Sequence, residues 1–193
     1  DKGGNLDHQV AWKFLVDTIV SDRWPSGRKK KESDYPIAVG IWGNKYGSWH
    51  HNLFAHNASR NPRWASGSGF NDYRNNVIYN WEYASSYGGE AHQKGDRRNP
   101  PIEHSTINMI ANYYKPGPAT DSKVRSCIVD PSSRDEDADA GKWWVSENIV
   151  DGYPKVTDNN LLGVTKTSAA YKLNQPWPAM EINQQTAEEA YKA

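Results

Sequence analysis

The chain is predicted to be all-β, and three features carry that prediction. Its apolar residues fall in short runs rich in β-branched and aromatic side chains, bounded by Gly, Pro, Asn or Asp. Helical periodicity is missing until the final residues. A weak repeat of Asn, any residue, then an apolar residue recurs at Asn52, Asn76, Asn112 and Asn148.

In chain order the strand runs are residues 10–16, 37–42, 49–54, 73–79, 106–114 and 143–150. Long polar segments separate them. Residues 21–36 are basic, with Arg28-Lys29-Lys30-Lys31. Residues 84–105 hold Gly88-Gly89, Arg97-Arg98 and Pro100-Pro101. Residues 115–142 hold Lys115-Pro116-Gly117-Pro118 and an acidic run at 135–139. That run lacks the spacing and glycine of an EF-hand loop and reads as solvent-exposed. Loops of this length are usually functional or mobile. Residues 158–182, with Pro176 and Pro178, read as an extended tail along the body, and the last six residues as the first turns of a helix.

The Asn repeat has intervals of 24, 36 and 36 residues. Such a repeat points to a stacked solenoid in which each coil buries its face on the next. Asn at equivalent turns can stack its amides from coil to coil. A β-sandwich with Asn-rich turns satisfies the same spacing, so the repeat alone leaves both architectures open.

With 193 residues the chain is one domain or part of a larger one. Lys plus Arg and Asp plus Glu both total 23, so no global field favours nucleic acid or membrane. An anion site must therefore be local. No apolar run reaches membrane-spanning length. The single cysteine, Cys127, excludes an intrachain disulfide and a Cys-rich metal site, and reads as a small buried hydrophobe. Neither a signal peptide nor an initiating Met opens the chain, so both ends are expected to be truncated or processed.

Residues 49–64 are the most informative stretch. A strand-like run ends in a polar turn, and Arg60 and Arg63 follow, spaced around Pro62. Pro62 restricts its own backbone and biases Asn61 toward an extended one, holding both arginines in a set geometry beside a sheet. Two cations held so suit a carboxylate-bearing ligand. His50 and His51, adjacent on a strand, are expected on opposite faces and unable to share a metal. Trp49, Trp64, Trp81 and Tyr83 are candidates for sugar stacking or for filling half-buried sheets, with Trp64, beside the arginines, the foremost sugar contact.

Several of these pieces together resemble the pectate lyase superfamily, specifically polysaccharide lyase family 1. They are His50-His51-Asn52-Leu53-Phe54, Ser59-Arg60-Asn61-Pro62-Arg63, Arg74-Asn75-Asn76-Val77-Ile78-Tyr79-Asn80-Trp81 and Ile110-Ala111-Asn112-Tyr113-Tyr114-Lys115-Pro116-Gly117-Pro118, in that order. Ile41-Trp42-Gly43 precedes them and Gly88-Gly89 lies between. The resemblance implies a right-handed parallel β-helix over residues 1–165 that lacks its N-terminal coils, with residues 166–193 as a C-terminal tail. It implies a secreted, periplasmic or cell-surface enzyme that cleaves an acidic polysaccharide, a polyuronate, by Ca²⁺-assisted β-elimination. The missing N-terminal segment of the same protein is the other expected partner.

By that resemblance Arg60 is the base. A guanidinium ordinarily keeps its proton, so desolvation and neighbouring cations would have to make it a proton acceptor. A plainer role for Arg60 is pairing with a carboxylate. Arg63 and Lys31 are implied carboxylate binders, with Lys30 and Lys45 as rivals of Lys31, and His56 is placed near Arg60. The family's further arginine, five residues after the base, is Ala65 here. Asp1 falls nearest the last of the family's calcium ligands, and the others would lie upstream. Two further readings stay open: a non-catalytic carbohydrate-binding β-helix, and a polygalacturonase-like hydrolase.

Overall fold

The computed structural model describes residues 40–41, 46–91, 105–133, 139–166 and 171–193. The expected run at 10–16, the basic segment 21–36 and most of the acidic run lie outside them.

The described chain is mostly parallel β-sheet. The strands are β1 (Gly40–Ile41), β2 (Tyr46–His50), β3 (Leu53–Ala55), β4 (Arg63–Trp64), β5 (Phe70–Arg74), β6 (Val77–Tyr79), β7 (Ser86–Gly88), β8 (Thr106–Ile110), β9 (Tyr113–Lys115), β10 (Val129–Pro131), β11 (Lys142–Ser146) and β12 (Ile149–Val150). They form three sheets, in the orders β1-β4-β7-β10, β2-β5-β8-β11 and β3-β6-β9-β12. The chain visits the sheets in the same order on each pass, and every strand pairing is parallel. This arrangement is compatible with a parallel β-helix, and it replaces the sandwich alternative, which pairs its strands antiparallel.

Four of the expected single strands are each two strands around a sharp corner. His51, Asn75, Ala111 and Glu147 have positive φ of 55°, 50°, 52° and 59°. Each ends a strand of the second sheet, and the next residue is a repeat Asn. A left-handed L-residue costs roughly 1–2 kcal/mol, so something must hold each corner.

The Asn side chains do so. Asn76 Oδ1 accepts from the Asn52 backbone N–H and from Asn52 Nδ2, at 3.1 and 2.8 Å. Asn112 and Asn148 repeat this for the coil before each, at 2.9–3.0 Å. The second amide hydrogen of each turns back to a strand carbonyl: His50, Trp49, Tyr73 and Met109 for Asn52, Asn76, Asn112 and Asn148. Asn160, outside the sequence repeat, ends the ladder by accepting from Asn148 at 2.7 and 3.0 Å. Asn76, Asn112 and Asn148 are fully buried, and every polar hydrogen of their amides is satisfied.

The interior is filled by the inward side chains of each strand, stacked in register from coil to coil. Phe54, Ile78, Tyr114 and Val150 stack in register along the third sheet. Tyr73, Met109 and Val145 do so along the second. Trp64 enters from the first sheet, edge-on to Tyr73 and Trp143 at 5.6 and 6.3 Å. Such edge-to-face contacts suit the ring quadrupoles.

Beyond β12 the expectation of an extended tail from 158 needs correction. Residues Pro154–Asp158 form a short helix, α1, and Asn160–Gly163 a 3₁₀ turn. Pro154 sits in the first turn, where its missing N–H costs nothing, and the Asn160 amide binds the Asn148 and Val156 carbonyls. From 171 the chain does run extended across the second sheet. Trp177 exchanges two hydrogen bonds with the Asn108 side chain and donates its indole N–H to Asn71. The Asn75 amide pairs with both backbone groups of Gln185. The expected final helix, α2 (Ala187–Lys192), is present, with a Thr186–Glu189 capping box.

The strands β4, β7 and β10 were not expected; the last two lie in segments read as loops. They are two or three residues long and contain Ser, Gly, Asp and Pro, so no alternation marks them.

Candidate functional site

The turn between β3 and β4 builds the candidate site. Asn57, Ser59 and Asn61 are buried within it. Asn57 Nδ2 donates to Asn61 Oδ1 at 3.0 Å, Asn61 N–H to the Ser85 carbonyl at 2.7 Å, and Tyr73 Oη to the Asn61 carbonyl at 3.3 Å. The Asn61–Pro62 peptide is cis. Polar side chains that elsewhere compete with regular structure here tie the turn to the next coil.

Arg60 sits on this turn at φ 64°, half-buried. Its Nε donates to Tyr87 Oη at 3.1 Å. Among the described residues no carboxylate lies within ion-pair distance of it. Tyr87 is the residue beside Arg63 across the β4–β7 pair, and the Arg63 guanidinium lies over its ring, 5.1 Å from the centroid. One tyrosine thus receives Arg60 at its hydroxyl and Arg63 at its face. Asp130 follows in the same row on β10 and accepts from the Thr165 hydroxyl.

Arg63 is engaged internally. Its Nη1 and Nη2 donate to the two oxygens of Glu90, and Nη1 also reaches the Trp64 carbonyl. Ser66 Oγ adds a hydrogen bond to Glu90 at 2.9 Å. Burial works to raise the Glu90 pKa, but the hydrogen bonds and charge of Arg63, with Ser66, together hold it below its ordinary value. Gly88 leaves the room for this pair. Its φ is +111°, and a Cβ there would fall 1.7 Å from Arg63 Nη1.

The expected site residues therefore separate. Arg60 and Arg63 share one surface; among the described residues Arg63 is paired with Glu90 and Arg60 has no carboxylate at ion-pair distance. Trp64 is corrected as a sugar contact: it is 0% exposed, its indole N–H donates to Ser86, and inward alternation on β4 puts its ring in the core. Trp81 is likewise buried, whereas Tyr83 is exposed. His56 is exposed at φ 60°, with Nδ1 accepting from Asn80 Nδ2 at 2.9 Å and its ring edge-on to Tyr79. Lys31, Lys30, Lys45 and Asp1 lie outside the described residues.

His50 and His51 do not face apart. The strand ends at His50, the left-handed His51 turns its ring back, and the two Nδ1 atoms stand 2.9 Å apart. Tyr87 and Glu90 were missed. Tyr87 stands 24 residues after Arg63, the first interval of the Asn repeat, so that spacing could have found it.

Among the described residues no three or more His, Cys, Asp or Glu side chains converge as a metal site. Glu90 is held by Arg63, and Asp130 stands apart from it on a different strand. The described residues thus do not form a calcium site.

Fold and site together define a parallel-β protein with a cationic turn on one sheet edge. No family model matches the chain. A stretch of 69 residues is 39% identical to a protein named Probable pectate lyase C from Aspergillus terreus. It is 38% identical to proteins of that name from Aspergillus fumigatus and Neosartorya fischeri. The stretch is 36% of this chain and 14% of each relative, so the match spans about one seventh of their length. Among the described residues no helix is long and apolar enough to cross a membrane.

Proposed function

We propose that the chain is part of a secreted pectate lyase-like enzyme on a right-handed parallel β-helix, with coils over residues 1–165 and a tail over 166–193. Its substrate is an acidic polysaccharide of the polyuronate class, cleaved by β-elimination with Arg60 as proton acceptor. The observation that carries this reading is the division of labour between the arginines. Arg63 is neutralised by Glu90 and orders the site through Tyr87. Arg60 is pinned by Nε alone, which leaves its terminal nitrogens for a ligand.

In the reaction the proton on the carbon beside the uronate carboxylate passes to a lone pair of Arg60 in its neutral guanidine form, and the guanidinium so formed returns it to solvent before the next turnover. The freed electron pair forms a new carbon–carbon double bond. The bond to the glycosidic oxygen breaks, and that oxygen leaves with its electron pair and takes a proton from solvent. Calcium, when bound, would acidify the transferred proton by drawing electron density from the carboxylate. No site for it is built from the described residues, so every other role falls to the chain's own groups.

The test is Arg60→Lys in the intact protein, incubated with polygalacturonate and Ca²⁺. Ultraviolet absorbance of the unsaturated product should fall by about 10²-fold or more while circular dichroism stays unchanged. Unchanged turnover would remove Arg60 from the chemistry. Saturable binding without product in the parent protein would favour a non-catalytic β-helix, and reducing sugar without absorbance a hydrolase.

A further inference from the structure

A second surface, built from β11 and the segments that follow β12, has the makings of a ligand site. A cleft of about 320 Å³ opens between the end of β11, the end of α1 with the 3₁₀ turn, and residues 172–173. Small-molecule sites begin at roughly 300 Å³. Two observations mark this one.

The first is Trp144. The tryptophans of the described residues otherwise have ring partners or a core. Trp64 and Trp143 meet each other, Trp81 meets Tyr114, Trp177 meets Phe70, and Trp49 packs on the core. Trp144 alternates outward on β11, half-buried, with neither a ring contact nor an indole hydrogen bond among the described residues. The second is the polar end of α1, where the exposed Asp158 and Asn159 line the same cleft as Trp144.

The rim sets the ligand's charge. Among the described residues that line the cleft, Glu147 and Asp158 are anionic and Lys172 is cationic. Asn159 spends its side-chain oxygen on the Leu161 N–H, which leaves its amide hydrogens to donate. An indole plate beside carboxylates and an amide suits a polyhydroxylated ring, and the excess negative charge of the lining repels a uronate.

We propose that this cleft binds a neutral saccharide, with Trp144 as the stacking face and Asp158 and Asn159 as hydroxyl partners. The site differs in ligand charge from the Arg60 surface and stands independently of it.

Isothermal titration of the intact protein with cellotetraose, β-1,4-galactotetraose and trigalacturonate tests the proposal. At least one neutral tetrasaccharide should bind saturably. Trp144→Ala should weaken it about tenfold or more, and Trp144→Phe less. Asp158→Asn, on an exposed rim, should weaken it without touching the fold. Any trigalacturonate binding should be indifferent to Trp144→Ala. The proposal is overturned if neither neutral tetrasaccharide binds, if Trp144→Ala binds as the parent does, or if the Trp144-dependent ligand is trigalacturonate.

Discussion

The Glu90 carboxylate takes both terminal nitrogens of Arg63, and the pair is closed over by Ser66 and the Trp64 carbonyl. An arginine that its place beside Pro62 offered as a ligand binder is thereby a structural cation, and among the described residues Arg60 is left as the open one. Glu90 is 9% exposed and Arg63 24%, so removing the carboxylate strands a poorly solvated charge. Glu90→Gln should destabilise the intact protein by about 2–3 kcal/mol in urea.

That pair also sets a pH dependence. The folded-state pKa of Glu90 is depressed, so its contribution is present above the unfolded carboxyl pKa and is lost as pH falls through the lower folded value. The stability gap between parent and Glu90→Gln should be full at pH 7 and shrink below about pH 4. A gap that stays constant between pH 7 and pH 3 would mean the carboxylate is not held by Arg63.

Tyr87 joins the two arginines, and its hydroxyl and ring have separable roles. Tyr87→Phe keeps the ring under Arg63 and removes the acceptor for Arg60 Nε. Turnover in the proposed elimination should drop about tenfold with KM little changed, while stability moves by under about 1 kcal/mol. Equal loss in Tyr87→Phe and Glu90→Gln, tracking stability alone, would assign Tyr87 to the scaffold.

Asn112→Ala should be among the most damaging polar substitutions. It strands the Asn76 backbone N–H and one Asn76 Nδ2 hydrogen and takes a donor from the Tyr73 carbonyl and from Asn148 Oδ1, which keeps only the residue-112 backbone N–H, all in the interior. A loss of about 3–4 kcal/mol is expected by chemical denaturation. Asn52→Ala, at the half-exposed start of the ladder, should cost less than half of that.

Trp177 anchors the C-terminal segment through Asn108, Asn71 and the ring of Phe70. In Trp177→Ala, amide exchange should rise across residues 171–186 and leave β5 and β8 protected. Protection lost equally in both would mean that the segment is integral to the stack.

Cys127 is buried, and burial pushes its thiol pKa up to about 12. The thiolate that reacts is then scarce at pH 8. Dithionitrobenzoate should modify Cys127 only on unfolding, so its rate should report opening of the stack. Prompt reaction in the folded protein would contradict the burial.

The ladder was legible before the structure because it is periodic. Asn52, Asn76, Asn112 and Asn148 stand at coil intervals, and stacking identical amides requires identical residues at equivalent corners. The corners themselves were not legible. His51, Asn75, Ala111 and Glu147 share a backbone conformation but no chemistry, so nothing in their identities announces a turn in the middle of each strand run. Most of the first sheet was missed for a related reason: β4, β7 and β10 are too short for alternation, and each becomes a strand only because a neighbour lies about 4.7–4.9 Å away.

The sequence by itself determined that this is a β-rich chain with an amide repeat, two arginines about a proline, and a likeness to pectate lyases. Tertiary structure decided which arginine is free, that Trp64 is core, that the histidines meet, and that Asn160 closes the ladder. Those outcomes depend on which groups lie beside one another in successive coils. Glu90 neutralises Arg63 from 27 residues away, and only the register of stacked strands brings that carboxylate to one arginine and not the other.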